Sequence, residues 1–332
     1  RIEGACFALL VDAAEAPARQ LLGALRARLN GLARAAGTDD PDAWRGGAAD
    51  CGSDGDAAHW LAAADRALHL WLPADTQEFP LAHAQDIESA GAAVRGTVRD
   101  LIGQGRIAFA SQATRVLDAG GAAGALHVEL RAALDAGDRF IRAAEYMTYA
   151  GEARVSAALD SACLMRALEH AQVRRDGLAT VVNVSAAALI DPDILRWVGG
   201  YRHDARRAGF ILEFSEVALL GDPDAAEAFA QLAQSRGLAI GIKHFGLHAN
   251  ALSLLRRLRP QHVKFSVTLT REALLNPDSG AYVSSLTGIA SALSILPVAV
   301  AVEHVETLAA LHALGFRGVQ GEAVAAEILP VR

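Results

Sequence analysis

Cysteine is scarce in this chain, with three in 332 residues. Cys6, Cys51 and Cys163 show no C-x-x-C or comparable metal-ligand spacing. That argues against a zinc ribbon or a disulfide framework and predicts reduced thiols in a cytosolic protein. Aromatic residues are scarce too, at 5% against 52% hydrophobic, so the cores must be built from Ala, Leu and Val. No apolar run is long enough to cross a bilayer. The longest, 288–302, contains Ser291, Ser294 and Pro297 and reads as a helix end, a turn and a buried strand. No secretory leader is visible. The chain opens on Arg1-Ile2-Glu3 without an initiator Met, so a membrane anchor further upstream in a parent protein stays open. No G-x-G-x-x-G or P-loop occurs, which weakens a dinucleotide-binding reading. A net charge of -7 argues against bulk attraction to nucleic acid, while a local basic patch stays open.

The length suits two domains. Near the N-terminus, 6–11 reads as a strand. Residues 16–35 read as an amphipathic helix with Leu21, Leu22, Leu25, Leu29 and Leu32 at helical spacing. Residues 36–56 form a Gly- and Asp-rich loop with a strand near Ala48. A second helix over 56–72 is stopped by Pro73. So few elements cannot bury a full sheet, which predicts a partial domain over 1–75. A polar turn and a connecting helix beginning at His83 make a linker over 76–104, and the main domain covers 105–332. In it, strands are predicted at 106–110 and 126–130. Helices near 138–149, 154–173, 192–207, 222–236, 249–258, 279–294 and 306–314 then alternate with strands near 179–184, 209–214, 238–243, 261–265, 298–303 and 317–320. Six βα units at roughly 20–35-residue spacing predict an α/β fold, either a parallel barrel or a doubly wound sheet.

The strand ends decide between these. Val181-Val182 leads to Asn183, Phe210-Ile211-Leu212 to Glu213, and Ala239-Ile240-Gly241-Ile242 to Lys243-His244. His262-Val263 leads to Lys264, the run 298–302 to Glu303, and Gly318-Val319 to Gln320. Apolar strands that each end in a chemically capable side chain describe the mouth of a β/α barrel. An ammonium at Lys243, among these carboxylates, is the unusual member of the ring.

The ordered pieces Asn183-Val184-Ser185, Leu212-Glu213-Phe214-Ser215-Glu216, Phe245-Gly246, Val263-Lys264, Glu303-His304-Val305-Glu306-Thr307 and Gln320-Gly321 together resemble the EAL domain family. That family comprises cyclic di-GMP phosphodiesterases and their inactive relatives. The resemblance covers roughly residues 100–330 and implies an EAL-type (β/α)8 TIM-like barrel. More loosely, Phe7-Ala8-Leu9-Leu10 and Ala64-Asp65-Arg66-Ala67-Leu68 resemble the second half of a GGDEF domain. There Ala5 and Cys6 stand where active cyclases carry an acidic pair, which implies a partial, degenerate GGDEF domain without cyclase activity.

An active EAL enzyme hydrolyses a phosphodiester with water activated by two Mg²⁺ or Mn²⁺ ions, which need several carboxylates around them. By resemblance, Glu129 takes the place of the Glu of EAL, while Asn183, Glu213, Glu303 and the catalytic-type Lys264 match. The family's metal-holding Asp pair aligns with Lys243 and His244. A lysine there turns cation attraction into repulsion, and two anionic ligands vanish. His244 offers a single imidazole to a softer metal such as Zn²⁺, a poor cage beside an ammonium. The resemblance therefore implies no catalytic residue, no metal ligand and no Mg²⁺ or Mn²⁺ cofactor. The lysine either is solvated at a loop start or replaces the metal charge by pairing with Glu129, Glu213 or Glu303. The family's phosphate-gripping Arg aligns with Ala133. Arg131 lies on the same strand face but about 6–7 Å away along the chain. Gln112 matches the family's Gln-Pro motif without its Pro, and Leu247-His248-Ala249-Asn250 alters the loop after Phe245-Gly246.

These substitutions predict a receptor that binds cyclic di-GMP without hydrolysing it. Its binding residues by resemblance are Gln112, Glu129, Asn183, Glu213, Lys243, His244, Lys264, Glu303 and Gln320. A homodimer through the EAL domain and an unidentified protein output partner are expected. Two alternatives stay open: a scaffold that no longer binds nucleotide, and a weak metal-dependent phosphodiesterase.

Overall fold

The computed structural model describes residues 15–35, 48–50, 81–83, 96, 98–137, 140–142, 153–173, 176–202 and 209–328. Contacts divide the chain into two compact units, Arg1–Asp100 with Ile141–Gly151, and Leu101–Phe140 with Glu152–Arg332. In the first, helix α1 spans Glu15–Ala35. Its Leu22, Leu25 and Leu29 are half-buried, and Leu21 and Leu32 are exposed. Strands β1 (Ala48–Asp50) and β2 (Leu81–His83) pair in parallel. The second of these replaces the expected helix start at His83. The predicted strand 6–11, the helix 56–72 and the cyclase-like signature at 3–7 lie outside the described residues.

The second unit holds a closed eight-stranded barrel. Two strands, β3 (Ile107–Asp118) and β4 (Gly121–Asp135), open it as a long antiparallel hairpin. Only Ala119 and Gly120 separate them, too few residues for a crossover helix, so the pair must be antiparallel. Asp118 Oδ1 accepts the Gly120 N–H at 2.7 Å, and Gly121 sits at φ +111°, where a side chain would be strained. Both strands run well beyond their predicted ends. Phe140–Arg142 is a short strand, β5, and not the start of the predicted helix 138–149.

The barrel then alternates strands and helices. The order is α2 (Ala153–Val173), β6 (Ala179–Asn183), α3 (Pro192–Gly200), β7 (Phe210–Ser215), α4 (Glu216–Gly221), α5 (Pro223–Ser235) and β8 (Ala239–Phe245). It continues with α6 (Ala251–Leu258), β9 (His262–Phe265), α7 (Val267–Leu275), α8 (Pro277–Ala292), β10 (Leu296–Ala299), α9 (Leu308–Ala313) and β11 (Gly318–Val319). The ring order is β3-β11-β10-β9-β8-β7-β6-β4, closed by the β3–β4 pairing. Seven strands run parallel and β3 alone opposes both neighbours. The predicted barrel is therefore present, with a hairpin in place of the first βα unit.

Helix ends follow local chemistry. Asp191 accepts from the backbone of Asp193 and Ile194 ahead of Pro192, and Asp222 accepts from Ala225 ahead of Pro223. The core lies between strands and helices. Phe214 packs edge-on against Phe229, and Phe265 bridges Phe245 and Phe316. Each such buried ring contributes about 1.5–3 kcal/mol of burial free energy. Because Leu212, Phe214, Ile240, Ile242 and Val263 face this layer, their alternates Glu213, Gly241, Lys243, His262 and Lys264 face the barrel interior.

Candidate functional site

The inward alternates meet at the C-terminal ends of the parallel strands. Register places Glu129 on β4 opposite Gln112 on β3, and Asn183 on β6 beside Glu213 on β7. Lys264 enters from β9 and is 3% exposed, between Glu129 at 6% and Glu213 at 0%. Its Nζ donates to Glu129 Oε2 at 2.7 Å and lies 3.0 Å from Glu213 Oε1. Asn183 joins this network twice. Its amide nitrogen donates to Glu129 Oε1 at 2.7 Å, and its carbonyl oxygen accepts from Lys243 Nζ at 2.5 Å. Gln320 donates to Glu129 Oε2 at 3.0 Å.

Lys243 therefore reaches the carboxylates through Asn183 and makes no direct ion pair with Glu129, Glu213 or Glu303, which corrects the expected pairing. A bulge aims it. Between Ile242 and Phe245 the β8–β9 register shifts, and His244 adopts φ +57°. Two residues on β8 thus oppose one on β9, which turns Lys243 inward and leaves His244 exposed. Glu303 also departs from the predicted ring. Strand β10 ends at Ala299, Ala301 takes a left-handed φ of 54°, and Glu303 points outward to an exposed pair with Arg271 at 3.0 Å.

Burial and charge set the protonation states. Burial alone raises the Glu129 carboxyl, but the adjacent Lys264 ammonium and then Arg131 outweigh it and hold the group well below the usual carboxylate range. Glu213 balances burial against Lys264 in the same way and is lowered to about 2. Burial pulls the Lys264 ammonium down, yet Glu129 and Glu213 more than offset it and raise the group. Both carboxylates stay ionised, and Lys264 and Lys243 supply two compensating ammoniums.

Two histidines and a glycine complete the site and were absent from the sequence-based set. His262 is fully buried, and its Nε2 lies 2.6 Å from Glu213 Oε1. Gly241 sits between them on β8. A Cβ there would lie 2.7 Å from the His262 ring, so only glycine lets the imidazole cross to Glu213. His127 stacks on His262 with ring centroids 4.7 Å apart. The signal was available: His127 and His262 each precede a site residue by two on the same strand face. On α2, buried Asp160 accepts from Ser185 N and Oγ at 2.9 and 2.6 Å, fixing the loop after Asn183. After β8, fully buried Glu216 accepts from the backbone of Gly246 and His248 and contacts His248 Nδ1 at 2.6 Å, anchoring that loop.

Burial, reinforced by His262 and Lys264, pushes His127 down to about 3, although Glu213 and Glu129 pull the other way. The ordinary value is 6.5, so folding favours neutral His127. Its contribution is complete above pH 6.5 and is lost as pH falls toward 3. Asp160 acts oppositely. Burial raises it to about 6 despite the Ser185 hydrogen bonds, so its contribution is complete below its ordinary 3.8 and is lost as pH rises through 6. A comparison with His127→Leu isolates the first effect. On going from pH 7 to pH 4.5 the variant should gain about 2 kcal/mol relative to the parent in urea unfolding. Parallel stability profiles would contradict a neutral, buried His127.

Among the described residues, no three His, Cys, Asp or Glu side chains converge as metal ligands, and no helix is long and apolar enough to cross a membrane.

The sequence profile of the EAL domain family matches residues 97–327. A cyclic di-GMP phosphodiesterase of Pseudomonas aeruginosa is 26% identical over 196 residues, covering 58% of this chain and 33% of that protein. The chain thus spans about a third of that relative's length. The Vibrio cholerae LapD S helix-GGDEF-EAL structure bound to c-di-GMP is similar at TM-score 0.65 and 18% identity, over 82% of this chain and 67% of that one. The FimX EAL domain of Pseudomonas aeruginosa bound to c-di-GMP gives 0.63 and 20%, over 71% of this chain and 96% of that one. At these identities the structural likeness shows the fold.

Proposed function

The chain belongs to the EAL domain family, and we propose that this barrel binds cyclic di-GMP without cleaving it and relays its occupancy through protein contacts. One observation carries the reading. The two ammoniums Lys243 and Lys264 engage the oxygens of Asn183, Glu129 and Glu213, the donors that the family resemblance assigns to its metals. These residues do not fit Mg²⁺ or Mn²⁺: beyond the lysine that active members also carry, Lys243 adds an ammonium where the family places an anionic ligand, and it already occupies the Asn183 oxygen. Without such an ion no water is activated, and Lys264 acts as a structural counter-charge. Neighbouring EAL structures with bound c-di-GMP support retention of the ligand. The same reading takes residues 1–75 as a partial, degenerate GGDEF domain, and a homodimer with a further output partner as the route of the relay.

A second reading, a scaffold without nucleotide, is favoured by Ala133. It is buried and carries no phosphate donor where the family places its Arg. Chromatography separates cleavage from binding. After prolonged incubation with cyclic di-GMP in excess Mn²⁺, no linear product is expected above a heat-inactivated control. Turnover above that control would sink the non-hydrolytic reading.

A further inference from the structure

The rim of the barrel carries a guanidinium at the edge of the central network. Arg131 lies two residues beyond Glu129 on β4, with its side chain 41% exposed. Its Nη1 donates to Glu327 Oε1 at 2.9 Å, its Nη2 to Gln112 Oε1 at 2.8 Å, and its Nε lies 3.6 Å from Glu129 Oε1. Glu327 belongs to the closing segment 322–328, which is pinned over the same rim. Ser111 and Ile328 exchange backbone hydrogen bonds at 2.8 and 2.7 Å. Gln112 Nε2 donates to Ala325 O at 2.9 Å and to Glu322 Oε1 at 3.3 Å. The Glu327 N–H donates to Glu322 Oε1 at 3.2 Å.

Among the described residues, the other cations of the site are engaged elsewhere. Lys264 and Lys243 hold the interior network, and Arg271 pairs with Glu303. Arg131 is thus the rim group with the donor fork that a phosphodiester anion requires, and a carboxylate of the same chain occupies it. A carboxylate and a phosphodiester each present anionic oxygens to the same guanidinium edge, so one displaces the other.

We propose that Glu327 is an internal competitor for the ligand phosphate. It holds Arg131 in the unliganded barrel and yields it when a phosphodiester binds, which couples ligand entry to release of the segment 322–328. The proposal rests on the cyclic di-GMP reading above and adds the residue that opposes binding. The pair is partly exposed, so release of Arg131 costs little, while a charge-assisted contact to phosphate is stronger.

The test is calorimetric titration of the full chain with cyclic di-GMP in EDTA, using the parent, Glu327→Gln, and Glu327→Gln combined with Arg131→Ala. Circular dichroism serves as a check of folding. Glu327→Gln keeps the side-chain shape, should leave the fold intact, and should bind about threefold to fivefold tighter than the parent. The double variant should lose that gain. Equal binding by the parent and Glu327→Gln would overturn the competitor while leaving the receptor reading in place. A gain that persists without Arg131 would also overturn it, because the effect would then be general charge removal. Absence of binding by both the parent and Glu327→Gln would overturn the competitor together with the receptor reading. The Ser111 and Ile328 amides give a readout independent of these variants. Their hydrogen exchange should accelerate in the parent on saturation with cyclic di-GMP, and unchanged protection would overturn segment release.

Discussion

Lys264→Met is expected to destabilise the chain by about 3–5 kcal/mol in urea unfolding at neutral pH, because one cation is shared by two buried carboxylates. Lys264 is 3% exposed and lies within hydrogen-bonding distance of both Glu129 and Glu213. The methionine keeps the length of the stem, so little packing is lost. The two carboxylates, however, remain buried with only neutral partners and the more distant Lys243 and Arg131. They then bind protons near neutral pH, so the deficit should shrink as pH falls. Adding Glu129→Gln to Lys264→Met should recover part of the loss, since one buried charge goes with its partner. A loss below about 1 kcal/mol, typical of an exposed pair, would contradict a buried network.

The second large effect concerns metal. Replacing Lys243 and His244 together by Asp should create divalent-cation uptake, with a Kd of about 1 mM or tighter by calorimetry and none in the parent. The backbone is suited to this exchange. His244 already sits at φ +57°, a conformation Asp tolerates better than most residues, so the bulge that aims position 243 inward should survive. Asn183 then loses its lysine partner and gains an anionic neighbour, and its carbonyl oxygen becomes available to a cation. A double variant that folds and takes up neither Mg²⁺ nor Mn²⁺ would show that the lysine is not what stands in for the metal charge.

Much of the barrel was legible because strand ends carry distinctive pairs of residue types. The runs into Asn183, Glu213 and Lys264 placed three of the clustered side chains, since period-2 alternation fixes which residues face inward. The sequence was less informative where backbone geometry departs from regular strand. Glu303 follows an apolar run, yet β10 ends four residues earlier and the left-handed Ala301 redirects the chain, so the carboxylate leaves the site. Gly241 reads as one more small residue in a buried strand. Its role appears only once registry sets it between Glu213 and His262. The strands predicted at 106–110 and 126–130 carried no sign of the hairpin turn at Asp118–Gly121, and its consequence, one reversed strand in a parallel barrel, depends on closure with β11. Lys243 was recognised as a substituted charge. That its partner is Asn183 follows from a bulge no residue pattern announces.

The most direct measurement of whether an ammonium replaces the divalent cations is calorimetric binding of cyclic di-GMP to the parent chain in excess EDTA and again in excess Mn²⁺. The same saturable affinity in both is predicted, because Lys243 and Lys264 already supply the positive charge that balances Glu129 and Glu213. Binding that appears only with Mn²⁺ would contradict it, since the site would then need the metal that Lys243 is held to replace.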